Sequence, residues 1–275
     1  MTSIPTITLN NGVEIPQLGF GVFQVPDDET TAAVTAALAA GYRSIDTAAI
    51  YGNEAGVGRA LAASGIPRDE LFITTKLWNS DQGFASTIAA YEASLAALGL
   101  DYVDLYLIHW PAPANDNYAQ SWRAMEQLLA DGRVRAIGVS NFAPEHLERL
   151  AQTALIVPAV NQVELHPRLT QSRVRAANDA HGIRTEAWSP LAQGSLLADP
   201  VIVEIAGRSD RTPAQVVLRW HLQQGRIVIP KSVTPSRIAE NLAVFDFDLS
   251  ADDLRRIDAL NTDSRIGPDP VEFAG

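Results

Sequence analysis

The chain has 275 residues, of which 47% are hydrophobic and 19% charged, and this composition excludes a disordered or fibrous protein. It contains no cysteine, which excludes disulfides, thiolate metal sites and a thiol nucleophile. The formal net charge of −11 disfavours binding to nucleic acid or to an anionic membrane, so an anionic ligand would need a local basic pocket. Because there is no signal-peptide pattern and no apolar run of roughly 18 residues, we expect a cytoplasmic protein.

The predicted elements begin with a β-hairpin, in which residues 7–9 and 13–15 flank a turn of Asn10, Asn11 and Gly12. Short aliphatic runs then alternate with Ala- and Leu-rich amphipathic segments. The aliphatic runs predict strands over residues 18–20, 44–46, 71–76, 103–109, 134–140, 160–164, 184–188 and 227–229. The amphipathic segments predict helices over residues 28–40, 54–64, 84–98, 118–131, 144–154, 171–181, 212–224 and 235–242.

Two further helices are predicted outside this alternation. One spans residues 201–207, and the other spans residues 251–260, following the N-cap residue Ser250. The strands are mostly continuous apolar runs, which favours a parallel sheet covered by helices. Eight such units predict an α/β fold of the closed (β/α)₈ TIM-barrel type, with an open doubly wound sheet as the second possibility. We expect residues 1–275 to form one domain.

Polar or aromatic residues end most of the predicted strands. In a (β/α)₈ barrel these strand ends meet at one rim, where active sites are built. The rim residues in chain order are Asp46, Lys76, His109, Ser140, Asn141, Asn161, Gln162, Glu164, Trp188, Lys231 and Ser232. The sequence therefore predicts a functional site at this rim.

Three of these residues, together with Tyr51 in the loop after Asp46, suit protonation of a carbonyl oxygen. A phenol has a pKa of about 10, and the ammonium group of Lys76 would favour its ionised form. Asp46 would keep Lys76 protonated and oriented. A neutral His109 could donate a hydrogen bond to a carbonyl oxygen as negative charge develops there.

Each of the four residues also has an ordinary structural interpretation. Asp46 or Lys76 alone could be a solvated or ion-paired rim residue. Tyr51 could pack in a turn with Gly52, and His109 could be a buried structural histidine. Their occurrence on consecutive strand–helix units favours the catalytic interpretation.

Six segments carry a resemblance to a known family. They are Arg-Ser-Ile-Asp-Thr-Ala at 43–48 with Tyr-Gly-Asn-Glu at 51–54, Thr-Lys-Leu-Trp at 75–78, Asp-Leu-Tyr-Leu-Ile-His-Trp-Pro at 104–111, Ile-Gly-Val-Ser-Asn-Phe at 137–142, Asn-Gln-Val-Glu-Leu-His-Pro at 161–167 and Ile-Pro-Lys-Ser-Val-Thr at 229–234. Through them the chain resembles the aldo-keto reductases over essentially its whole length. It looks most similar to the microbial members that reduce 2,5-diketo-D-gluconate and other small carbonyls.

The resemblance implies an oxidoreductase acting on CH–OH groups, which uses NADPH to reduce aldehydes or ketones, such as 2,5-diketo-D-gluconate or methylglyoxal, to alcohols. It implies that Tyr51 is the general acid, that Lys76 and Asp46 tune it, and that His109 orients the carbonyl. Ser140, Asn141 and Gln162 would hold the nicotinamide carboxamide, and the ring would stack on residue 188. Many members have Tyr at that position, where this chain has Trp188.

The sequence argues against a Rossmann-type or Walker-type cofactor loop, because neither glycine pattern occurs. Cationic and hydroxyl side chains cluster instead where the eighth strand meets its helix, at Lys231, Ser232, Thr234 and Arg237. This is a place where barrels often bind phosphate. The resemblance implies that this cluster binds the 2′-phosphate of NADPH or NADP⁺ and that residues 190–196 cover the pyrophosphate. The implied cofactor contacts are Gly21, Asp46, Ser140, Asn141, Gln162, Trp188, Ser189, Leu191, Gln193, Ser195, Lys231, Ser232, Val233, Thr234, Arg237, Glu240 and Asn241.

The substrate pocket is expected to be walled by Phe23, Trp78 and Trp110, with His109 at its base. The segments 110–118 and 261–275 are short, which predicts an open pocket with broad carbonyl scope. We expect no metal, no nucleic-acid or membrane partner and a monomeric chain. The other histidines, at positions 146, 166, 181 and 221, are expected to be structural or surface residues.

Two other functions are considered. A barrel glycosidase would use a carboxylate pair, for which Glu164 with Glu186 or Asp46 is available, although Lys76 and Tyr51 beside Asp46 argue against it. A sensing or regulatory subunit could keep the cofactor site without turnover.

Overall fold

The fold is described from a computed structural model that covers residues 4–273, so that the ends of the expected 1–275 domain, residues 1–3 and 274–275, lie outside the described residues. An antiparallel hairpin comes first, formed by β1 (Thr6–Thr8) and β2 (Glu14–Pro16). Eight parallel strands follow, each hydrogen-bonded to the next along the chain. They are β3 (Phe20–Gly21), β4 (Ser44–Asp46), β5 (Phe72–Leu77), β6 (Val103–Ile108), β7 (Val134–Ser140), β8 (Val160–Glu164), β9 (Arg184–Trp188) and β10 (Ile227–Val228).

The first and last of these strands meet, which closes the sheet into a barrel. Leu18 forms a parallel bridge with Val228, and the amide of Gly19 donates to the carbonyl of Val228 at 2.8 Å. The amide of Gly21 donates to the carbonyl of Pro230 at 3.1 Å. An open doubly wound sheet would leave two edges unpaired, so that alternative is wrong and the predicted (β/α)₈ barrel is confirmed.

Ten α-helices accompany the strands in the described part of the chain. They are α1 (Asp27–Ala40), α2 (Glu54–Ala63), α3 (Phe84–Leu98), α4 (Tyr118–Ala130), α5 (Pro144–Ala151), α6 (Ser172–Ala180), α7 (Pro200–Ser209), α8 (Pro213–Gln223), α9 (Pro235–Leu242) and α10 (Ala251–Asp258). Helices α7 and α10 are the two predicted outside the strand–helix alternation. None of the helices within residues 4–273 is long and apolar enough to cross a membrane.

Most element boundaries agree with the sequence prediction within a residue or two. The last strand is shorter than predicted because Pro230 has no amide hydrogen to donate. Helix α5 ends at Ala151 rather than at residue 154, because the amides of Gln152 and Thr153 turn back to carbonyls three residues earlier.

The hairpin closes one end of the barrel and leaves the other end open. Leu9 and Ile15 are buried against side chains that point into the barrel, among them Phe72 and Leu107. This apolar plug lies at the amino-terminal end of the strands. The carboxyl ends of the strands, with their polar residues, therefore face a cleft at the opposite end.

Candidate active site

A cleft of about 1140 Å³ opens at the carboxyl ends of the barrel strands. It is bordered by most of the residues predicted to form the site. Those residues are Gly21, Phe23, Asp46, Tyr51, Trp78, His109, Trp110, Ser140, Asn141, Gln162, Trp188, Ser189, Leu191, Gln193, Lys231, Ser232, Val233, Thr234, Arg237, Glu240 and Asn241. Four predicted residues, Lys76, Asn161, Glu164 and Ser195, do not border the cleft.

Lys76 lies directly beneath the cleft, in a buried ion pair. Its Nζ donates to Oδ1 of Asp46 at 2.5 Å and to the carbonyl of Thr47 at 2.8 Å. The side chains of Lys76 and Asp46 are 0% and 4% exposed, so neither partner is screened by water. Burial lowers the pKa of Lys76, but Asp46 and the neighbouring Tyr51 outweigh burial and the net pKa is raised. The lysine is therefore a fixed positive charge.

Tyr51 lies above this ion pair, at the end of a short 3₁₀ turn that follows β4. Lys76 Nζ is 5.2 Å from the centre of its ring, and the ring of His109 is 5.6 Å away. The turn is held by Asn53, whose side chain accepts from Thr47 at 2.8 Å and donates to two backbone carbonyls. The sequence thus places a phenol, an ammonium group and an imidazole in one small volume.

Burial raises the pKa of Tyr51 above its usual value, although Lys76 acts in the opposite direction. Lys76 favours the ionised phenol, as expected, but burial has the larger effect and the net pKa is raised. The positive charge of Lys76 offsets only part of the rise in pKa that burial causes. As a consequence Tyr51 keeps its proton throughout the neutral range and is ready to donate it.

His109 is neutral in this site. Burial, with the nearby Lys76 charge, lowers the pKa of His109 well below its usual value. Its Nδ1 atom is buried and has no hydrogen-bond partner among the described residues. A proton on Nδ1 would be unpaired, so the proton is favoured on Nε2. The imidazole that borders the cleft can therefore act as a hydrogen-bond donor.

Polar side chains at the ends of β7 and β8 hold one another in place beside the tetrad of Asp46, Tyr51, Lys76 and His109. Ser140 Oγ donates to the carbonyl of Gln162 at 2.8 Å, and Asn141 Nδ2 donates to the carbonyl of His109 at 2.9 Å. Trp188 Nε1 donates to Asn141 Oδ1 at 2.9 Å, which fixes the indole at the edge of the cleft. Hydrogen bonds thus connect these groups to Asp46 and Lys76 through the side chain of Gln162, and to the backbone of His109.

The other end of the cleft is basic. Lys231 and Arg237 are exposed there, and neither forms a salt bridge with any residue in the range 4–273. Thr234 precedes α9, so that the amino terminus of this helix lies between the two cations. Unpaired cations and free helix amides favour an anion. This end of the cleft can hold a phosphate group despite the net charge of −11.

The loop between β9 and α7 forms one side of the cleft. Ser189, Ala192 and Gln193 all have positive φ values, between 47° and 54°. This folding presents Leu191 and Gln193 to the cleft. Ser195 instead donates from Oγ to the carbonyl of Ala192 at 2.9 Å, and its hydroxyl is used within the loop.

The carboxyl-terminal segment forms a wall that sequence reasoning missed. Phe273 packs against Trp110 with ring centres 4.6 Å apart and against Trp78 at 6.4 Å. Ile266, Gly267 and Pro268 also border the cleft. The expectation of an open pocket is therefore wrong on this side. The sequence signal that could have indicated this wall is the aromatic residue Phe273 in a tail that contains Gly and Pro.

Glu164 anchors this tail. Its two carboxylate oxygens accept from the amides of Ile266 at 2.6 Å and Gly267 at 2.9 Å, and Oε1 also lies 2.9 Å from His166 Nε2. Burial by itself raises the pKa of Glu164, but His166 and the two amides outweigh it and lower the net pKa. Neither Glu164 nor Glu186 borders the cleft, so the geometry does not favour a glycosidase carboxylate pair.

The chain matches the family described as the aldo/keto reductase family over residues 17–262. It is 56% identical to glyoxal reductase of Bacillus subtilis, with 98% of this chain and 97% of the relative covered. It is 54% identical to methylglyoxal reductase DkgA of Yersinia pestis, with 99% of both chains covered. The crystal structure of a Gox0644 variant in complex with NADPH superimposes with a TM-score of 0.95 at 49% identity, covering 99% of both chains.

Proposed function

Because the chain belongs to the aldo/keto reductase family, we propose that it is an NADPH-dependent reductase of small aldehydes and ketones, with Tyr51 as its general acid. The observation that carries this proposal is the arrangement of Tyr51 above the buried Lys76–Asp46 pair, with the neutral His109 at its side. A site of this kind donates a proton and a hydrogen bond to the same oxygen atom.

The residues present fit the cofactor. One end of the cleft has cations suited to the phosphate groups of NADPH. The other end has hydrogen-bonding side chains and an indole, which suit the nicotinamide. Lys231, Ser232, Thr234 and Arg237 would hold the 2′-phosphate, with Val233, Glu240 and Asn241 beside the adenosine. The loop bearing Ser189, Leu191 and Gln193 would cover the pyrophosphate, while Ser140, Asn141, Gln162 and Trp188 would hold the nicotinamide next to Gly21 and Asp46.

The bound nicotinamide would supply a hydride to the carbonyl carbon. His109 donates a hydrogen bond from Nε2 to the carbonyl oxygen and so fixes its position. Tyr51 then transfers its phenolic proton to that oxygen as negative charge develops, and the Lys76 ammonium stabilises the charge left on the phenolate. Asp46 holds the ammonium group in place through its 2.5 Å hydrogen bond. Phe23, Trp78, Trp110 and Phe273 exclude water with their rings.

Glyoxal, methylglyoxal and 2,5-diketo-D-gluconate are the substrates we propose to test first. The first two are named in relatives that are 56% and 54% identical to this chain. Glyoxal and methylglyoxal carry two adjacent carbonyl groups, whereas 2,5-diketo-D-gluconate carries keto groups at C2 and C5 and a carboxylate. A cleft with the aromatic rings of Trp78 and Trp110 on one side and His109 at its base can bind the two uncharged molecules without a charged anchor.

The proposal is tested with Tyr51→Phe. We expect this change to lower kcat by about 10²- to 10⁴-fold, because the proton donor is lost while the ring is kept. Loss of NADPH absorbance would be followed with the three dicarbonyls, and the NADPH dissociation constant should change by less than about twofold. Tyr102→Phe is the matched control, since Tyr102 packs under Arg68 outside the cleft.

Equal rates in wild type and Tyr51→Phe would overturn the assignment of the acid. Tight NADPH binding without turnover of any carbonyl would favour the sensing subunit instead. A single domain over residues 1–275, a monomeric state and a cytoplasmic location stay predictions, and light scattering of the purified chain measures the monomeric state directly.

A further inference from the structure

Glu186 is a buried carboxyl group in the middle of β9, one layer below the cleft. It is 1% exposed and does not border the cleft. Its Oε2 accepts a hydrogen bond from Gln162 Nε2 at 2.9 Å. Gln162 Nε2 also donates to Asp46 Oδ2 at 2.8 Å. The side-chain amide of Gln162 therefore lies between two carboxyl groups.

This arrangement fixes which end of the Gln162 amide faces the cleft. An amide nitrogen has two hydrogens, and here both are donated to carboxyl oxygens. The amide oxygen accepts no hydrogen bond from residues 4–273, although Gln162 borders the cleft. In the reversed orientation that oxygen would face the Asp46 carboxylate, which has no hydrogen to donate, and the nitrogen would lose both of its acceptors. The geometry therefore presents the oxygen to whatever binds above.

Glu186 can fill this role without adding a second buried negative charge. Burial, reinforced by the charge of Asp46, raises the pKa of Glu186 to about 8. At neutral pH the group is mostly the uncharged acid, whose free lone pairs still accept the Gln162 hydrogen. Lys76 meanwhile stays paired with the other oxygen of Asp46. Lys76, Asp46, Gln162 and Glu186 thus form a continuous series of contacts that runs from the tetrad to Glu186.

We propose that Glu186 is a positioning residue: together with Asp46 it holds the Gln162 amide with its oxygen toward the cleft, and it thereby sets the affinity for the nicotinamide end of the cofactor. The inference rests on the proposed function, because the ligand of the Gln162 oxygen is the carboxamide NH₂ group of NADPH. Glu186 itself would touch neither cofactor nor substrate.

The test is a double-mutant cycle in NADPH binding, measured by quenching of tryptophan fluorescence. Glu186→Leu removes the acceptor at similar volume and is expected to raise the NADPH dissociation constant about tenfold, which corresponds to the loss of one buried hydrogen bond. In a Gln162→Ala background, Glu186→Leu should raise the NADPH dissociation constant by less than about twofold, since the amide that Glu186 orients is gone. Glu186→Gln keeps an acceptor and should stay within about twofold of wild type.

Adenosine 2′,5′-bisphosphate is the matched control ligand, because it carries the phosphate end of NADPH without the nicotinamide. Its affinity should be the same in all variants. Should Glu186→Leu fail to fold, Glu186→Thr replaces it, since threonine suits a strand and its hydroxyl is too short to reach Gln162 Nε2. The same NADPH-specific loss is expected from it.

Three outcomes would overturn the proposal. They are wild-type NADPH affinity in both Glu186→Leu and Glu186→Thr, an equal loss with and without Gln162, and a loss that extends to the bisphosphate. The last two would indicate a general structural role for Glu186. A wild-type protein that binds neither ligand would instead overturn the proposed function, and this inference with it.

Discussion

Burial and charge act on Tyr51 in opposite directions, and burial is the larger effect. The phenol is held above an ammonium group, yet its net pKa is raised. The sequence could predict the neighbours of Tyr51, because strand ends converge in a barrel. It could not predict the sign of the shift, since the degree of burial depends on Phe23 and His109 packing around the ring.

The two cations at the far end of the cleft give a test of cofactor preference. Arg237→Ala is expected to raise the NADPH dissociation constant about 10- to 100-fold, because a charge-assisted contact to the 2′-phosphate is lost. NADH lacks that phosphate, so its affinity should change by less than about twofold. Fluorescence titration with both cofactors measures the difference. Arg173→Ala, on the exposed face of α6, changes the net charge equally and should affect neither cofactor.

Glu186 makes stability depend on pH in a way that one substitution can isolate. Its pKa is raised to about 8 in the folded chain, so between its unfolded value near 4.5 and pH 8 the folded state binds the extra proton. The stability from this group is full below pH 4.5 and is lost as the pH rises toward 8.

Glu186→Gln has no ionisable group there, so it should gain stability relative to wild type as the pH rises from 5 to 8.5. The expected gain is on the order of a few kcal/mol in the free energy of unfolding. Urea denaturation at several pH values measures it, and the difference between the two proteins cancels the other titrating groups. A constant difference across that range would contradict the raised pKa.

At the scale of elements, the strands and helices were predictable because their apolar periodicity is local. The carboxyl-terminal tail was not, since its position depends on hydrogen bonds to Glu164 from amides about 100 residues later in the chain. The tail also fits closely against Trp188: a Cβ atom on Gly267 would lie 2.6 Å from the indole. Contacts of this kind leave no periodic pattern in the sequence, so they could not be predicted from it.

The anchoring of the tail can be measured by proteolysis. Trypsin cleaves after Arg265, and the amide of the following Ile266 is held by Glu164. Glu164→Gln replaces one acceptor with a donor, so one tail amide loses its partner and the tail should open more often. We expect cleavage at Arg265 to become about tenfold faster, as followed by intact mass.

Cleavage at the other arginines in the same digest is the internal control for a general loss of stability. If the Arg265 rate is unchanged, or if all sites accelerate together, Glu164 does not act as a tail anchor. NADPH-stimulated protection of this bond would further link the tail to the cleft, because Gly267 and Trp188 are in contact.

For the whole molecule, the two ends of the barrel differ: one is packed with apolar side chains and the other carries the cleft. The strands deliver polar side chains to their carboxyl ends, while the amino-terminal end is closed by apolar residues of the hairpin. The (β/α)₈ architecture could be predicted from the alternation of elements, and with it the rim that carries the site. The plug could not, because which side chains point inward depends on the register between β5, β6 and β7.

This separation predicts that stability can be lowered without affecting catalysis. Ile15 is fully buried in the plug, so Ile15→Ala should reduce the free energy of unfolding by about 2–5 kcal/mol through lost burial and a cavity. Val13→Ala, a partly buried neighbour in the same hairpin, should cost less, about 1 kcal/mol. Both are measured by urea denaturation, and kcat/KM with NADPH and methylglyoxal should stay within about twofold of wild type. A loss of kcat/KM in Ile15→Ala at temperatures where the protein is fully folded would show that the plug transmits its packing through the strands to the rim, and that the two ends are coupled rather than independent.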